Sequence, residues 1–355
     1  MTDSHTFTLG NLHLDDLPPD RRDLAEREVR GMVAPFVRLA DKLDLVQDVE
    51  LEVVLTDDMG LHVDRIQASY GKASSSPYNP VRNTVAAQGI TLTDPKHPPL
   101  RVSIVLNQDG WTKDDGYEVI LRAYLFLHEC GHVLQQARGT GADWKRWDRP
   151  VQTHEETVRR AAWILWDEFD ADLTADNMCR GFVLKDDQGN PVGPGEHLSD
   201  SFAGSVADLL DRLCNFVVDE VQAYRCNRRS LEGLYDDAAS LIGELLLVLA
   251  HLAALCVGMK KVKELKAVLA TLRGFDEYIG DDFQTFLEAL AEDSGRTAEP
   301  ELARICNTVF ERVGLEIEDQ PQGLYVRVFE PVFCCDRDAD DSKEEESVDD
   351  SDAFE

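Results

Sequence analysis

The sequence predicts an α+β fold, with a small sheet and helices in the first half of the chain and a mostly helical second half. Asp48–Leu55 and Leu100–Asn107 are rich in β-branched and apolar residues, which is typical of strands. From Ser199 to Leu315 the apolar residues recur with helical spacing instead. The 355 residues, 43% of them hydrophobic, are enough for two domains.

We expect four segments along the chain. Residues 1–19 are polar and end in two prolines, which predicts a flexible arm. Residues 20–182 form the predicted first domain, which begins with an amphipathic helix. Residues 198–333 form the predicted helical domain, closed by a strand at Leu324–Phe333 that returns to the first sheet. Residues 336–355 are too acidic and too poor in apolar side chains to fold, so we expect disorder there.

Two stretches leave alternatives open. Residues 62–89 are rich in serine, glycine, proline and asparagine, which predicts a long loop that is either a flap over a cleft or a floppy insertion. Leu241–Met259 is apolar and long enough to cross a membrane. Because Glu244 and His251 lie within it, we favour a buried core helix.

Composition limits the class of partner. The formal net charge of −32 disfavours nucleic acids and anionic membranes, which the chain would repel. No signal peptide is recognisable, so we expect a cytoplasmic protein. The 8 cysteines are irregularly spaced, as expected for reduced thiols. Nothing in the composition indicates an oligomeric state.

The motif that carries chemistry is His128-Glu129-x-x-His132. Two histidines four residues apart on a helix project toward one point, where they can share a metal ion. Asp115 with Glu118 predicts the start of that helix. Zinc suits two imidazoles, and a glutamate beside them can take the proton of a zinc-activated water. We therefore expect one Zn²⁺ per chain, with Glu129 as general base.

A catalytic zinc needs a third protein ligand. A capping box at Thr153 predicts a second helix, on which Glu168 and Asp172 share one face. Glu168 is positioned to complete the site, and Asp172 to orient a metal histidine through its second ring nitrogen. Glu220, in a similar E-x-x-A pattern further along, is the alternative ligand. We prefer Glu168, because its helix directly follows the metal helix and carries the aspartate partner.

This combination, H-E-x-x-H followed by Glu168-x-x-Ala171-Asp172, resembles the gluzincin zinc metallopeptidases. It is similar in particular to the compact ImmA/IrrE-like peptidases, over roughly residues 45–180. The resemblance implies a zincin-like metallopeptidase domain in residues 20–182. It also implies that His128, His132 and Glu168 bind zinc, that Glu129 is general base and then general acid, and that Asp172 supports the ligands.

These observations predict an intracellular zinc metallopeptidase that acts on a protein or peptide. We expect the strand Leu100–Asn107 to be the sheet edge that pairs with an extended substrate. The donor that stabilises the oxyanion is left open among Tyr224, His154 and His251. The alternative function is a zincin-like sensor or interaction module that does not cleave. Glu129 favours the enzyme, because a scaffold without catalysis has no use for a base there.

Overall fold

The structure, a computed structural model, describes residues 6–40, 45, 47–71, 81–82, 85–86, 89–94, 99–111, 116–141, 151–179, 184–185, 191–192 and 194–329. The predicted acidic tail and the middle of the predicted long loop lie outside these residues.

The main sheet has four strands, in the spatial order β1-β2-β6-β5. They are Phe7–His13 (β1), Val49–Thr56 (β2), Gly89–Asp94 (β5) and Leu100–Asn107 (β6). β1, β2 and β6 run parallel, and β5 is antiparallel to β6. Three two-stranded ribbons complete the described strands: Val81–Arg82 (β3) with Val85–Ala86 (β4), Leu184–Lys185 (β7) with Pro191–Val192 (β8), and Leu315–Gln320 (β9) with Gly323–Val328 (β10).

Helices make up most of the described chain. In order they are Pro19–Ala40 (α1), Met59–Ser69 (α2), Gly116–Arg138 (α3), His154–Cys179 (α4), Pro194–Arg225 (α5), Leu231–Gly258 (α6), Val262–Leu269 (α7), Phe275–Tyr278 (α8), Phe283–Leu290 (α9) and Gly295–Arg312 (α10). The predicted α+β class is confirmed.

The predicted flexible arm is wrong from residue 7 onward. β1 pairs in parallel with β2, and the side chains of Phe7, Leu14 and Leu17 are buried. Gly10 and Asn11 interrupt the apolar alternation of this strand, and the register shifts between Leu9 and Leu12. Because of this irregularity, the segment lacks the alternation of apolar and polar residues that predicts a strand.

The predicted edge strand is also wrong. β6 lies inside the sheet, with β2 on one side and β5 on the other. Its residues from Val102 to Leu106 are buried without alternation, which is typical of a strand covered on both faces. The two edges of the sheet are β1 and β5. β5 lies at the end of the predicted long loop, whose beginning is the helix α2.

The predicted closing strand is present as β10, but it does not return to the first sheet. It pairs antiparallel with β9 to form a hairpin, within the part of the chain that the structure describes. A short turn between Gln320 and Gly323 joins the two strands, and adjacent antiparallel strands pair most readily through such a turn.

α6 is long and apolar enough to cross a membrane, yet it packs as a core helix. Of its most apolar 18-residue window, 67% is buried inside the protein. It packs against α4, α5 and α10. This burial agrees with the expectation of a central helix.

The core has two main parts, and α4 belongs to both. Its first half, including Val158, Leu165 and Phe169, is buried in the helical core with α5, α6 and α10. Ala175 and Cys179 in its second half are buried with the sheet, α1 and α3. The two predicted domains therefore share one helix.

Candidate metal centre

α3 is anchored by one apolar face. Phe126, Leu127, Cys130, Val133 and Leu134 are buried, most of them against the sheet. His128 and His132 keep 11% and 14% of their side-chain surface exposed, so they stand at the border of this face. Cys130 is fully enclosed, and burial raises the pKa of its thiol well above the usual value. It is therefore an inert packing residue and not a metal thiolate.

α3 and α4 approach closely because Gly131 has no side chain. A Cβ atom at this position would stand 2.7 Å from the Ala171 Cα atom and 2.9 Å from its carbonyl oxygen. Gly131 lies between the two histidines, and Ala171 lies between Glu168 and Asp172. This contact brings the histidine pair and the acidic pair to the same level.

At that level three donor atoms converge. The Nε2 atoms of His128 and His132 are 3.2 Å apart. Oε2 of Glu168 is 3.1 Å from Nε2 of His128 and 3.7 Å from Nε2 of His132. In a tetrahedral zinc site, ligand atoms about 2.1 Å from the ion lie about 3.4 Å from one another. The observed spacing and the donor set of two nitrogens and one oxygen therefore fit a zinc ion.

The second ring nitrogen of each histidine is held by a partner. Nδ1 of His128 donates to Oδ1 of Asp172 at 2.6 Å. Nδ1 of His132 lies 3.0 Å from Oε1 of Gln135 and 3.1 Å from Oδ2 of Asp167, which are both acceptors. These bonds leave both Nε2 atoms as the metal-facing donors.

Charges in the cluster favour a cation. Burial by itself lowers the pKa of His128, but the Asp172 carboxylate and then Glu168 raise it to about 10. Burial by itself raises the pKa of Glu168, but hydrogen bonds from the two histidines hold it well below its usual range. A nearly dry site with ionised carboxylates attracts positive charge strongly.

Asp172 also reaches a third histidine. Its Oδ2 accepts from Nδ1 of His251 on α6 at 2.5 Å. Burial alone raises the pKa of Asp172, and His251 followed by His128 brings it below the usual value. His251 stacks on Phe202 of α5, with ring centroids 5.3 Å apart. Its own pKa is raised, because Asp172 outweighs the effect of burial.

Glu129 faces the edge strand β5. Its Oε2 accepts a hydrogen bond of 2.6 Å from the hydroxyl of Thr91. A Cβ atom on Gly89 would stand 2.7 Å from its Oε1. The carboxylate is buried, with 6% of the residue exposed. The backbone of β5 can approach this closely only because residue 89 is glycine.

Three of the predicted site residues, Glu220, His154 and Tyr224, lie away from the cluster. Glu220 forms ion pairs through Arg229, which also binds Asp237, and so Glu220 is not part of the cluster. The E-x-x-A spacing puts Glu220 and Ala223 on one face of the helix. The sequence alone does not show what that face packs against.

Two of the three residues predicted as oxyanion donors lie far from the cluster. His154 begins α4, about 21 Å along the helix from Glu168, and contacts Tyr235 and Asn307. Tyr224 packs on the helical core, about 33 Å along α5 from Phe202. Of the three predicted donors, His251 alone lies beside the cluster; its ring centroid is 6.1 Å from that of His128.

Sequence reasoning missed Asp167, Gln135 and Thr91. Gln135 lies three residues after His132 on α3, so helical spacing alone places the two side by side. Asp167 directly precedes Glu168, but which of two adjacent acids faces the histidine depends on how the helices pack. Thr91 had no local signal, because strand order decides its position.

Comparison with protein-family models, curated proteins and solved structures gives no match.

Proposed function

We propose that this protein is a zinc-dependent hydrolase that cleaves peptide bonds. The observation that carries the proposal is the convergence of His128, His132 and Glu168 on one point, within 4.8 Å of one another. Glu129 directly follows His128 in the sequence, and the Asp172 carboxylate orients the His128 ring through a hydrogen bond to its Nδ1 atom. A site that served structure alone would need four protein ligands and no base.

The chemistry divides between the ion and the chain. Bound zinc supplies a Lewis acid, which polarises a carbonyl and lowers the pKa of water. His128, His132 and Glu168 would hold the ion. Asp172, Asp167 and Gln135 fix the tautomers of the two imidazoles.

Glu129 moves the proton. As a carboxylate it accepts the proton of the attacking water and passes it to the nitrogen of the leaving amine. Thr91 holds the carboxylate through its hydroxyl, which restricts the rotamers of Glu129. His251 is our candidate for stabilising the negative charge that develops on the carbonyl oxygen, because it lies beside the cluster.

We assign binding of the substrate peptide to the edge strand β5. β6 occupies one side of this strand, and within the described residues no strand pairs with its other side. An extended peptide that adds to a free edge passes beside Glu129, because Thr91 and Gly89 both contact that side chain.

Two measurements on the purified protein test the proposal. Mass spectrometry gives its zinc content, and incubation with a peptide library from digested proteins gives its cleavage activity. We expect cleavage by the parent and its loss on chelation. Glu129→Gln should keep zinc and lose cleavage by a factor of at least about a hundred. Glu220→Gln is the matched control, because it makes the same change on a residue that pairs with Arg229.

Equal cleavage by Glu129→Gln and the parent would exclude Glu129 as the base. Full zinc occupancy without cleavage of any peptide would instead favour the alternative function, a zincin-like module that binds a partner and does not hydrolyse it.

A further inference from the structure

A cavity of about 330 Å³ lies between α4, α6 and α10, outside the metal cluster. Its walls are mainly apolar and include Ile164 and Leu165 of α4, Leu247 of α6 and Phe310 of α10. Small-molecule sites begin at about this volume. The cavity therefore has the size and lining of a ligand site.

Small residues keep the cavity open. Gly243 and Ala161 line it from facing helices. A Cβ atom on Gly243 would meet no atom within 4 Å, so no close helix contact requires glycine here. Glycine in a helix interior costs about 1 kcal/mol relative to alanine. The effect of glycine at position 243 is to leave this space open.

Three polar residues, Thr157, Ser240 and Glu244, also line the cavity, and Glu244 forms an ion pair with Arg212 of α5. The Glu244 carboxylate accepts from Arg212 at 3.5 Å and from Ser240 at 3.3 Å, which are both long hydrogen bonds. A carboxylate has about four acceptor positions, and the ammonium group of a ligand would compete for them with these long contacts. The net charge of −32 draws cations toward the surface and repels anions.

We propose that this cavity binds a small amphipathic cation, with an apolar body between α4 and α6 and a protonated amine on Glu244. The apolar walls favour the body, and the carboxylate selects the amine over an acid of the same size. The proposal does not depend on hydrolysis at the metal cluster.

The position of the cavity links it to that cluster. Ile164 lies one helical turn before Glu168, and Leu247 lies one turn before His251. The cavity therefore lies one helical turn from the cluster along both α4 and α6.

Calorimetric titration of the full-length protein tests the proposal with three defined probes: 4-phenylbutylamine, 4-phenylbutyrate and butylamine. We expect saturable binding of the first, and binding at least tenfold weaker for the other two, which lack the positive charge or the apolar body. Absence of saturable phenylbutylamine binding with a dissociation constant below about 10 mM would overturn the proposal.

Two variants locate the site. Gly243→Leu fills the cavity and should weaken phenylbutylamine binding at least tenfold. Gly204→Leu is the matched control, because a Cβ at this exposed helical position also meets no atom within 4 Å. Glu244→Gln should weaken binding of the amine and should not weaken binding of 4-phenylbutyrate, because the variant removes a negative charge. If Gly243→Leu and Glu244→Gln both bind the amine like the parent, the cavity is not the site. Glu244→Gln also decides the question if Gly243→Leu does not fold.

Discussion

The hydroxyl of Thr91 donates a hydrogen bond of 2.6 Å to the carboxylate of Glu129. This bond joins the edge strand β5 to the helix that carries both metal-facing histidines. It makes β5 part of the site, although β5 follows a region that the sequence predicts as loop.

Thr91→Val tests the role of this bond, because valine keeps the shape of threonine and removes the donor. We expect zinc content to be unchanged and kcat to fall about tenfold, which corresponds to about 1.4 kcal/mol of transition-state stabilisation. Thr8→Val on β1 is the control, because its hydroxyl bonds the Val49 carbonyl away from the cluster. Unchanged kcat in Thr91→Val would mean that Glu129 needs no such anchor.

Zinc content should depend on both histidines. The parent should bind about one zinc per chain, and His128→Ala or His132→Ala should lose it, because two ligands cannot hold a catalytic zinc tightly. His62→Ala is the control, since His62 of α2 pairs with Asp16 and does not belong to the cluster on α3 and α4. Full occupancy in either cluster variant, measured after dialysis, would contradict the site.

The residues that hold the imidazoles should tune zinc affinity. Asp172→Asn and Asp167→Asn should each weaken zinc binding by roughly ten- to a hundredfold and leave the fold intact, because the ligands remain but lose their orientation. Asp208→Asn, at an exposed position of α5, should have no effect. Competition with a zinc-binding dye measures the three affinities. Parent-like values for both cluster variants would show that packing alone orients the rings.

Gly131→Ala should disturb fold and site together. The new Cβ would stand 2.7 Å from the Ala171 Cα atom, so the helices must move apart, and such overpacking costs about 1–3 kcal/mol. Gly204→Ala, where the Cβ meets nothing, should instead gain up to about 1 kcal/mol. Urea unfolding measures both, and zinc affinity should fall only in Gly131→Ala. Equal stability changes would contradict the close contact.

His154 should make the fold sensitive to acid. Burial lowers the pKa of its imidazole, although Asn307 and Asp319 oppose this effect. The unfolded chain therefore binds the proton more readily, so the free energy of unfolding should fall as the pH drops below about 6.5. In His154→Gln this component is absent, and the decrease between about pH 7 and pH 5 should be smaller. Parallel curves for the two proteins would refute the assignment.

What the sequence predicted well was local. His128 and His132 share a face because a helix repeats every 3.6 residues, and so do Glu168 and Asp172. The N-cap at Thr153 is confirmed, since its hydroxyl accepts from the backbone of Glu156. Such relations need no knowledge of which elements pack together.

What it missed depends on contacts between distant segments. The order of strands decides that β5 lies at an edge of the sheet and Leu100–Asn107 does not. The packing of α6 on α4 brings His251 to Asp172, 79 residues earlier in the chain. The pairing of β1 with β2 orders a segment whose composition reads as an arm.

The shared helix α4 means that the chain cannot be divided at the boundary that its composition indicates. A fragment ending near residue 182 would keep the three metal-facing residues, but it would expose Val158, Leu165 and Phe169 to water. These side chains are nearly fully buried in the intact protein, and their exposure favours aggregation. The helical half is therefore an obligatory part of the folded unit that holds these three residues, and chemical denaturation should melt both halves in one transition.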